Sequence, residues 1–388
     1  MTQEPNIFPY IARLLQGAEV VWKPLGEVAE LKRGQRVTKQ ELSNDKQYPV
    51  YSGGVKPMGY YDAYNQEANT ITIVKYGTAG YVNFITERFW ANDVCYCIKP
   101  HTILENKYLL YVLKNMQVYI NSLATDAIPA HLPAPSLASI QIPLPPLSVQ
   151  QEIVRILDKF TELEAELEAE LEGRKRQYEY YRNHLLSYEG KEVEWKTLGE
   201  VGTFIRGNGL QKKDLITSGI PAIHYGQIYT YYGVSAEQTI SFVSPETAKG
   251  LRKVDYGDVI ITNTSENIDD VGKAVAYCVK EQGVTGGHAT IFKPSEKIIG
   301  KYLVYYTQTT EFSNQKRKYA KGTKVIDVSA NDLAKIIIPL PPLEEQQRIA
   351  TILDKFDTLV NSISEGLPKE IALRRKQYEY YRERLLRF

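Results

Sequence analysis

Basic and aromatic side chains gather around glycine turns in the first third of the chain, a combination suited to binding nucleic acid. Arginine can bind guanine edges through paired hydrogen bonds, and lysine can hold phosphates. The competing interpretation is a solvated corner between a strand and a loop. The candidate contacts within segments 31–39, 51–61 and 74–84 are Lys32, Arg33, Arg36, Lys39, Tyr51, Lys56, Lys75 and Tyr76.

A second set lies between residues 204 and 324 and is richer in amides. Asn and Gln pair well with adenine, although the sequence does not show which residue meets which base. The densest basic tract, NQKRKYAKGTK (314–324), is suited to phosphate contact. For His288, a hydrogen bond inside its own loop is the plainer interpretation. The second candidate set is Arg206, Lys212, His224, Tyr225, Gln227, Asn263, Lys273, Lys316, Arg317, Lys318 and Lys324.

The sequence lacks the motifs of enzymes that act on nucleic acid. No G-x-x-x-x-G-K-[ST] phosphate loop, no N-P-P-Y or D-P-P-Y tetrad and no H-E-x-x-H occurs. Cys95 and Cys97 stand two apart in one expected strand, which predicts buried strand cysteines rather than half of a zinc site. These absences argue against a fused methyltransferase or nuclease, and they predict a chain without catalytic residues or a metal.

Length and composition bound the class of protein. The chain has 388 residues, enough for two domains, of which 43% are hydrophobic and 24% charged. The net charge is +1, so any affinity for DNA must come from local patches or from partners. No apolar run reaches the length of a membrane span, and the first residues do not resemble a secretion signal. Together these features predict a cytoplasmic protein without membrane contact.

A repeat must position the candidate residues. The bodies 29–141 and 202–337 share almost no aligned identity, yet similar motifs frame both. Similar frames with dissimilar contents suggest two modules that do the same job on different targets. The framing motifs are WKPLGEV (22–28) and WKTLGEV (195–201), IPLPPLSVQQEIVRILDKF (142–160) and IPLPPLEEQQRIATILDKF (338–356), and RKRQYEYYRNHLL (174–186) and RRKQYEYYRERLL (374–386).

Two long amphipathic helices are predicted to follow the modules. Apolar residues recur every three or four positions in 156–185 and in 352–385, so the helices should pack antiparallel along matched seams. The first contains ELEAELEAELE (162–172), which is rich in strong helix formers. The second has four additional residues around EGLP (365–368), where glycine and proline should kink or break it.

The expected fold class is α+β, with two α/β modules separated by two long antiparallel helices. LLQGAEVVW (14–22) resembles LLSYEGKEVEW (185–195), so the end of the chain leads into its own beginning and the pseudo-twofold repeat is cyclic. The expected extents are a first module at 1–147, a central helix at 148–190, a second module at 191–343 and a C-terminal helix at 344–388.

With these motifs occurring twice in order, the chain resembles the specificity subunit of a type I restriction–modification enzyme. It is most similar to the branch with short repeated blocks in the central helix. The resemblance implies two target-recognition domains, each reading one half of a split site in double-stranded DNA. It also implies two conserved helices that space the domains and dock two methyltransferase subunits.

The resemblance places the chemistry outside this chain. S-adenosylmethionine and ATP are expected in partner subunits, with a restriction or motor subunit joining through the complex, and no cofactor in this chain. One segment departs from the family pattern. DAIPAHLPAPS (126–136) stands where the second module has KGTKVIDVS (321–329), so a contact made by Lys324 has no counterpart in the first module.

Some helix residues fit contact with another subunit better than packing. Tyr178 and Tyr181 are expected to pack in the seam between the helices, whereas Tyr180 is a better candidate for contact with a partner subunit. Because the same helix motif occurs twice, it predicts that two copies of the same partner bind. A structural adaptor that never touches DNA is a further alternative, opposed by the basic tract and the diverged bodies. The candidate partner contacts are Gln150, Gln151, Tyr180, Gln346, Gln347 and Tyr380.

Overall fold

A computed structural model describes residues 7–125, 127–362 and 364–388, and the chain divides into two compact units. Unit 1 contains the described residues up to Leu167 together with Ile371–Phe388, and unit 2 contains Glu168–Glu370. Each unit therefore combines one α/β module with parts of both long helices. Asp126, in the divergent segment of the first module, and Ile363, in the second seam, lie outside the described residues.

The strands are numbered in chain order. Those of unit 1 are β1 (Val21–Pro24), β2 (Ala29–Arg33), β3 (Tyr48–Tyr51), β4 (Tyr60–Tyr61), β5 (Thr70–Val74), β6 (Val82–Ile85), β7 (Trp90–Ala91), β8 (Cys95–Pro100) and β9 (Gln141–Leu144). Those of unit 2 are β10 (Glu194–Thr197), β11 (Gly202–Arg206), β12 (Ile220–Ile223), β13 (Ser235–Ala236), β14 (Ser241–Val243), β15 (Arg252–Val254), β16 (Val259–Thr262), β17 (Thr264–Ser265), β18 (Ala274–Tyr277), β19 (Gly283–Thr285), β20 (Ala289–Pro294), β21 (Ile326–Asp327) and β22 (Ile337–Leu340).

The helices of unit 1 are α1 (Pro9–Leu15), α2 (Leu25–Val28), α3 (Asn106–Asn115), α4 (Gln117–Ser122) and α5 (Ala134–Ala138). The long helix α6 (Leu147–Leu186) begins in unit 1 and continues into unit 2. Unit 2 adds α7 (Leu198–Val201), α8 (Tyr225–Thr230), α9 (Pro245–Lys249), α10 (Gly300–Tyr306), α11 (Thr310–Tyr319), α12 (Ala330–Leu333) and α13 (Leu343–Asn361). The last helix, α14 (Gly366–Leu385), begins in unit 2 and ends in unit 1. Within the described residues, every helix is too short or too polar to cross a membrane.

The main sheet of unit 1 has the strand order β2-β8-β5-β6, with antiparallel neighbours. One face packs on α3, where Ile71 and Ile73 join the core of the unit. The opposite face buries Cys97 against Phe89. The prediction of buried strand cysteines is confirmed, and burial raises the pKa of the Cys95 and Cys97 thiols to about 12.

The main sheet of unit 2 has the order β11-β20-β16-β18-β13 and is covered by α10. Its pairing matches that of unit 1 although the bodies differ in sequence. Arg33 of β2 lies opposite Tyr96 of β8, and Arg206 of β11 lies opposite Thr290 of β20. On the other side of these central strands, β5 and β16 also occupy equivalent places. The two modules therefore share one strand register as well as one frame.

The helix seam forms as the apolar spacing predicts. In unit 1, the Phe160 and Tyr381 rings stack with centroids 5.4 Å apart, and Glu164 forms an ion pair with Arg375. The residue numbers rise along α6 while they fall along α14, so these segments are antiparallel. In unit 2, Tyr181 stacks on Phe356 of α13 at 5.3 Å, as expected for a seam residue.

The interruption of the second helix is also confirmed. Helix α13 ends at Asn361 and α14 begins at Gly366, where φ is +73°. A Cβ at this glycine would lie 2.5 Å from the Thr358 carbonyl oxygen, so both the backbone and the space favour glycine. Helix α1 shares the core of unit 1 with Leu385 and Leu386, in agreement with the cyclic repeat.

Each module is fastened to its long helix by a carboxylate joint. In unit 1, Tyr111 Oη and Lys107 Nζ both donate to the Asp158 carboxylate at 2.6 Å. In unit 2, Tyr305 Oη donates to Asp354 at 2.7 Å in the same arrangement. A short helix of each module is thus tied to a long helix: α3 to α6 in unit 1, and α10 to α13 in unit 2. The joint is part of the frame that holds each sheet.

Candidate nucleic-acid interface

The ends of the main-sheet strands bring several of the candidate contacts to one edge. At this edge β2 and β5, or β11 and β16, come to an end, and the central strand begins. Bonds from Lys75 N to Val94 O (2.7 Å) and from Asn263 N to His288 O (2.9 Å) close the edge in the same way. We call it the sheet-end surface. Strand pairing and main-chain bonds make these residues equivalent: Arg33 and Arg206, Lys75 and Asn263, Tyr76 and Thr264, Asp93 and Gly287, Val94 and His288, and His131 and Asp327.

An arginine is the last residue of the first main-sheet strand in each module, β2 in unit 1 and β11 in unit 2. Arg33 Nε donates to the Asp93 carbonyl oxygen at 2.7 Å, and its Nη2 lies 3.3 Å from the Asp93 carboxylate. Arg206 Nε makes a longer bond of 3.5 Å to the Gly287 carbonyl oxygen. Both arginines are exposed. Each guanidinium group is held at the surface by bonds to a single loop residue, Asp93 for Arg33 and Gly287 for Arg206.

In unit 1, an aromatic and basic cluster lies beside that arginine. Lys75 Nζ is 5.0 Å from the centroid of the Tyr76 ring, and this ring stacks on His131 at 5.6 Å. The His131 ring is fixed by a 2.8 Å hydrogen bond to Thr125. Sequence reasoning missed His131, because its loop reaches the strand end only through the tertiary fold. A stacked ring beside a lysine can contact a phosphate or a sugar.

In unit 2, the sheet-end surface is built around Tyr225. Its ring lies 4.5 Å from His224 and 4.9 Å from His288, centroid to centroid. Burial, followed by the positive charges of Lys212 and His288, lowers the pKa of His224. A neutral imidazole agrees with its hydrogen bond, in which Gly226 N donates to His224 Nδ1 at 3.2 Å. The His288 ring is hydrogen-bonded to Thr264 of β17, so its partner comes from this strand and not from its own loop as the plainer interpretation predicted.

Besides His224, two further predicted DNA contacts are buried, and these two are corrected because their side chains are bonded inside the fold. Asn263 is buried, with Nδ2 donating to Val328 O and Oδ1 accepting from Thr290, both at 2.8 Å. Its amide is therefore used inside the fold and does not face a base. Lys316 is also buried and donates to the Asp269 carbonyl oxygen at 3.0 Å, while burial lowers its pKa. It lies on the inner side of α11 and offers no charge to a phosphate.

The remaining candidates lie at the surface or partly below it. Arg317 pairs with the exposed carboxylate of Asp269. Lys324 lies in a hairpin whose base pairs with β17, so the hairpin extends from the sheet-end surface of unit 2. Gln227 donates to Ser241 and Lys273 to the Tyr229 carbonyl oxygen. The exposed candidates are Lys32, Arg36, Lys39, Lys56, Lys212, Lys318 and Lys324, and the half-buried ones are Tyr51, Gln227 and Lys273.

The predicted partner contacts divide into buried and exposed residues. Gln150 Nε2 donates to Ile103 O and Pro145 O at 3.1 and 2.9 Å, and its Oε1 accepts from Glu105 N at 2.9 Å. Gln346 is equally buried and makes the equivalent three bonds. These two glutamines fasten the module to the helix, so they are withdrawn from the partner surface. The exposed members of the set are Gln151, Gln347, Tyr180 and Tyr380.

Comparison with known sequences gives one consistent family. A family model described as "Type I restriction modification DNA specificity domain" matches residues 18–173 and 190–373. A putative type I restriction enzyme specificity subunit from Haemophilus influenzae is 34% identical over 400 residues, covering 98% of each chain. The EcoR124I/EcoR124II specificity subunit from Escherichia coli is 34% identical over 409 residues, covering 98% of this chain and 97% of that one.

Solved structures share the fold. The S subunit of a type I restriction–modification system from M. genitalium superposes with a TM-score of 0.63 and 18% identity, covering 100% of this chain and 98% of that one. A chain from another structure of a type I restriction–modification system superposes with a TM-score of 0.58 and 17% identity. The match covers 95% of this chain and 98% of that one. At these identities the likeness concerns the fold alone.

Proposed function

Because this chain belongs to the family of type I restriction–modification specificity subunits, we propose that it recognises a bipartite site in double-stranded DNA. Each module reads one half through its sheet-end surface. The observation that carries this proposal is the pair of sheets in one register with different side chains at one edge, such as Tyr76 against Thr264. Different base sequences need different donors and acceptors, whereas the same frame can hold either set.

Mapping modified bases tests this function. The chain is co-expressed with its genomic neighbours, and modified positions are mapped on the host chromosome. We expect two short half-sites separated by unread bases. A contiguous motif, or no motif, contradicts the proposal. Replacing residues 29–141 with another such body should change one half-site only, and a change in both halves would exclude independent reading.

We also propose that the long helices dock two methyltransferase subunits, one on each copy of the repeated motif. The support is an exposed tyrosine at the same place in each copy: Tyr180 is 64% exposed and Tyr380 is 50% exposed. A solvent-facing aromatic ring is a typical anchor for a partner. Tyr180→Ala and Tyr380→Ala should each weaken co-purification of the methyltransferase. Tyr256→Ala, an equally exposed ring of unit 2 outside the helices, is the control.

The chain is proposed to act without catalysis of its own, in the cytoplasm where its DNA lies. S-adenosylmethionine and ATP then belong to the methyltransferase and motor subunits, the latter joining through the complex. The purified chain, incubated with duplex DNA and labelled S-adenosylmethionine, should transfer no methyl group, and the complete complex should. Methylation by the chain alone would favour the rival reading of a fused methyltransferase.

A further inference from the structure

We propose that Arg33 and Arg206 bind the DNA backbone phosphate at the same point of each half-site, whatever the bases there. This rests on the proposed function, in which the two modules read different half-sites. Arginine is retained at this place while the neighbouring sheet-end positions differ: Lys75 of unit 1 corresponds to Asn263 of unit 2, and Tyr76 corresponds to Thr264. What two different half-sites have in common is the sugar–phosphate backbone. A shared exposed group fits the shared part of the ligand.

The glycine after each arginine has a separate, structural reason. A Cβ at Gly34 would lie 2.2 Å from the Asn92 carbonyl oxygen, and one at Gly207 would lie 2.1 Å from the Gly286 carbonyl oxygen. Both strands therefore turn directly under the loop that precedes the central strand. This contact explains the glycine but places no such demand on the arginine, whose side chain extends into solvent. The side chain of Arg33 is 53% exposed.

The guanidinium geometry leaves donors for a phosphate. In both modules the arginine Nε–H donates to a loop carbonyl oxygen, and this bond fixes the direction in which the two terminal nitrogens of the guanidinium group point. The terminal N–H groups are those that bind phosphate oxygens in pairs. The modules differ in one respect: Asp93 lies beside Arg33, whereas the equivalent residue beside Arg206 is Gly287. Asp93 partly neutralises Arg33, so Arg206 should contribute more to affinity.

The test measures binding by the complex with its methyltransferase subunits across a range of salt concentrations. Two duplexes are compared, one with the mapped site and one of unrelated sequence. Arg206→Ala should weaken binding to both about three- to tenfold and reduce the slope of log K against log salt by about 0.9. Arg33→Ala should act in the same direction with a smaller effect, and Asp93→Asn should strengthen binding. The mapped half-sites should be unchanged in every variant.

Controls remove the same charge elsewhere. Arg88→Ala and Lys297→Ala lie near the opposite ends of the two main sheets, beyond Ile85 and Pro294, and should leave the slope unchanged. Relaxed selection at one base pair in Arg206→Ala would overturn the proposal in favour of base reading. If Arg206→Ala kept the wild-type affinity and salt slope but lowered the Tm, the arginine would only stabilise its loop, and the proposal would be overturned. If the wild-type complex shows no bipartite site, the proposed function itself fails.

Discussion

Replacing Tyr111 with phenylalanine removes one hydroxyl from the joint between α3 and α6. The tyrosine is 4% exposed, and its Oη lies 2.6 Å from the Asp158 carboxylate. Burial, followed by the bond to Asp158, raises the pKa of Tyr111, so the hydroxyl keeps its proton and acts as the donor. Lys107 remains bonded to the same carboxylate at 2.6 Å, and Tyr111→Phe therefore leaves no unpaired charge.

The expected loss follows from this geometry. A hydrogen bond to a charged acceptor contributes about 1.5–3 kcal/mol, and since Asp158 is partly solvated we expect about 2 kcal/mol for Tyr111→Phe. Asp158→Ala should cost about 1–3 kcal/mol more, because it leaves the buried hydroxyl without this partner. Losing the half-exposed Lys107 pair adds little. Tyr305→Phe should cost a similar amount in unit 2, where the Oη–Asp354 distance is 2.7 Å.

Urea denaturation followed by circular dichroism gives the free energy of unfolding, and amide hydrogen exchange assigns the loss to a unit. Exchange is needed because a chain of two units need not unfold in one step. Tyr119→Phe, an exposed ring of unit 1, is the control and should change stability by less than about 0.5 kcal/mol. A Tyr111→Phe effect as small as that of the control would refute the joint. A loss of amide protection that is equal in both units would also refute the joint.

Further predictions concern the glutamines, the buried lysine and the central helix. Gln150→Ala should destabilise unit 1 by about 2–4 kcal/mol, since it leaves three main-chain partners unpaired, whereas exposed Gln151→Ala should stay within about 0.5 kcal/mol in the same urea assay. Burial lowers the folded-state pKa of Lys316 below its usual 10.5, so the unfolded chain binds more protons at this group and its contribution to the free energy of unfolding should rise with pH toward about 10.5. Other buried lysines and tyrosines titrate in the same range, so the contribution is measured as the difference between the wild type and Lys316→Met, and a difference that does not change with pH would contradict the buried position. Each ELEA block within 162–172 adds ~6 Å and about 400° of helix, so adding or deleting one should preserve assembly and both half-sites while the unread spacer changes by about one base pair or slightly more. Deleting two residues rotates the seam by about 200° and should abolish assembly. If the block variants stayed active with an unaltered spacer, the repeat would not set the spacer length.

The frame of this protein could be read from sequence because its signals are local and occur twice. The spacing that places Tyr181 on the seam depends only on the helical period, and the left-handed conformation of Gly366 depends on the absence of a Cβ. The extended segment before each long helix likewise follows from proline geometry and appears as β9 and β22. Such features need no knowledge of distant residues.

The fate of individual polar side chains was decided by the tertiary structure. Lys316, Arg317 and Lys318 are consecutive on α11, and successive residues of a helix point about 100° apart, so one is buried while two face solvent. Gln150 and Asn263 are polar in type, yet each fills a pocket lined with main-chain groups that come from segments remote in sequence.

The equivalence of Arg33 and Arg206 also required the structure. The bodies around them do not align in sequence, and only strand pairing shows that the two arginines occupy one position. A register is a relation between strands, set by hydrogen bonds and packing across the sheet, and local periodicity carries no information about it. The same holds for His131 and His288, which reach the sheet-end surface through loops. The sequence alone therefore determined the repeated frame, whereas three-dimensional packing decided which of the candidate side chains remain exposed.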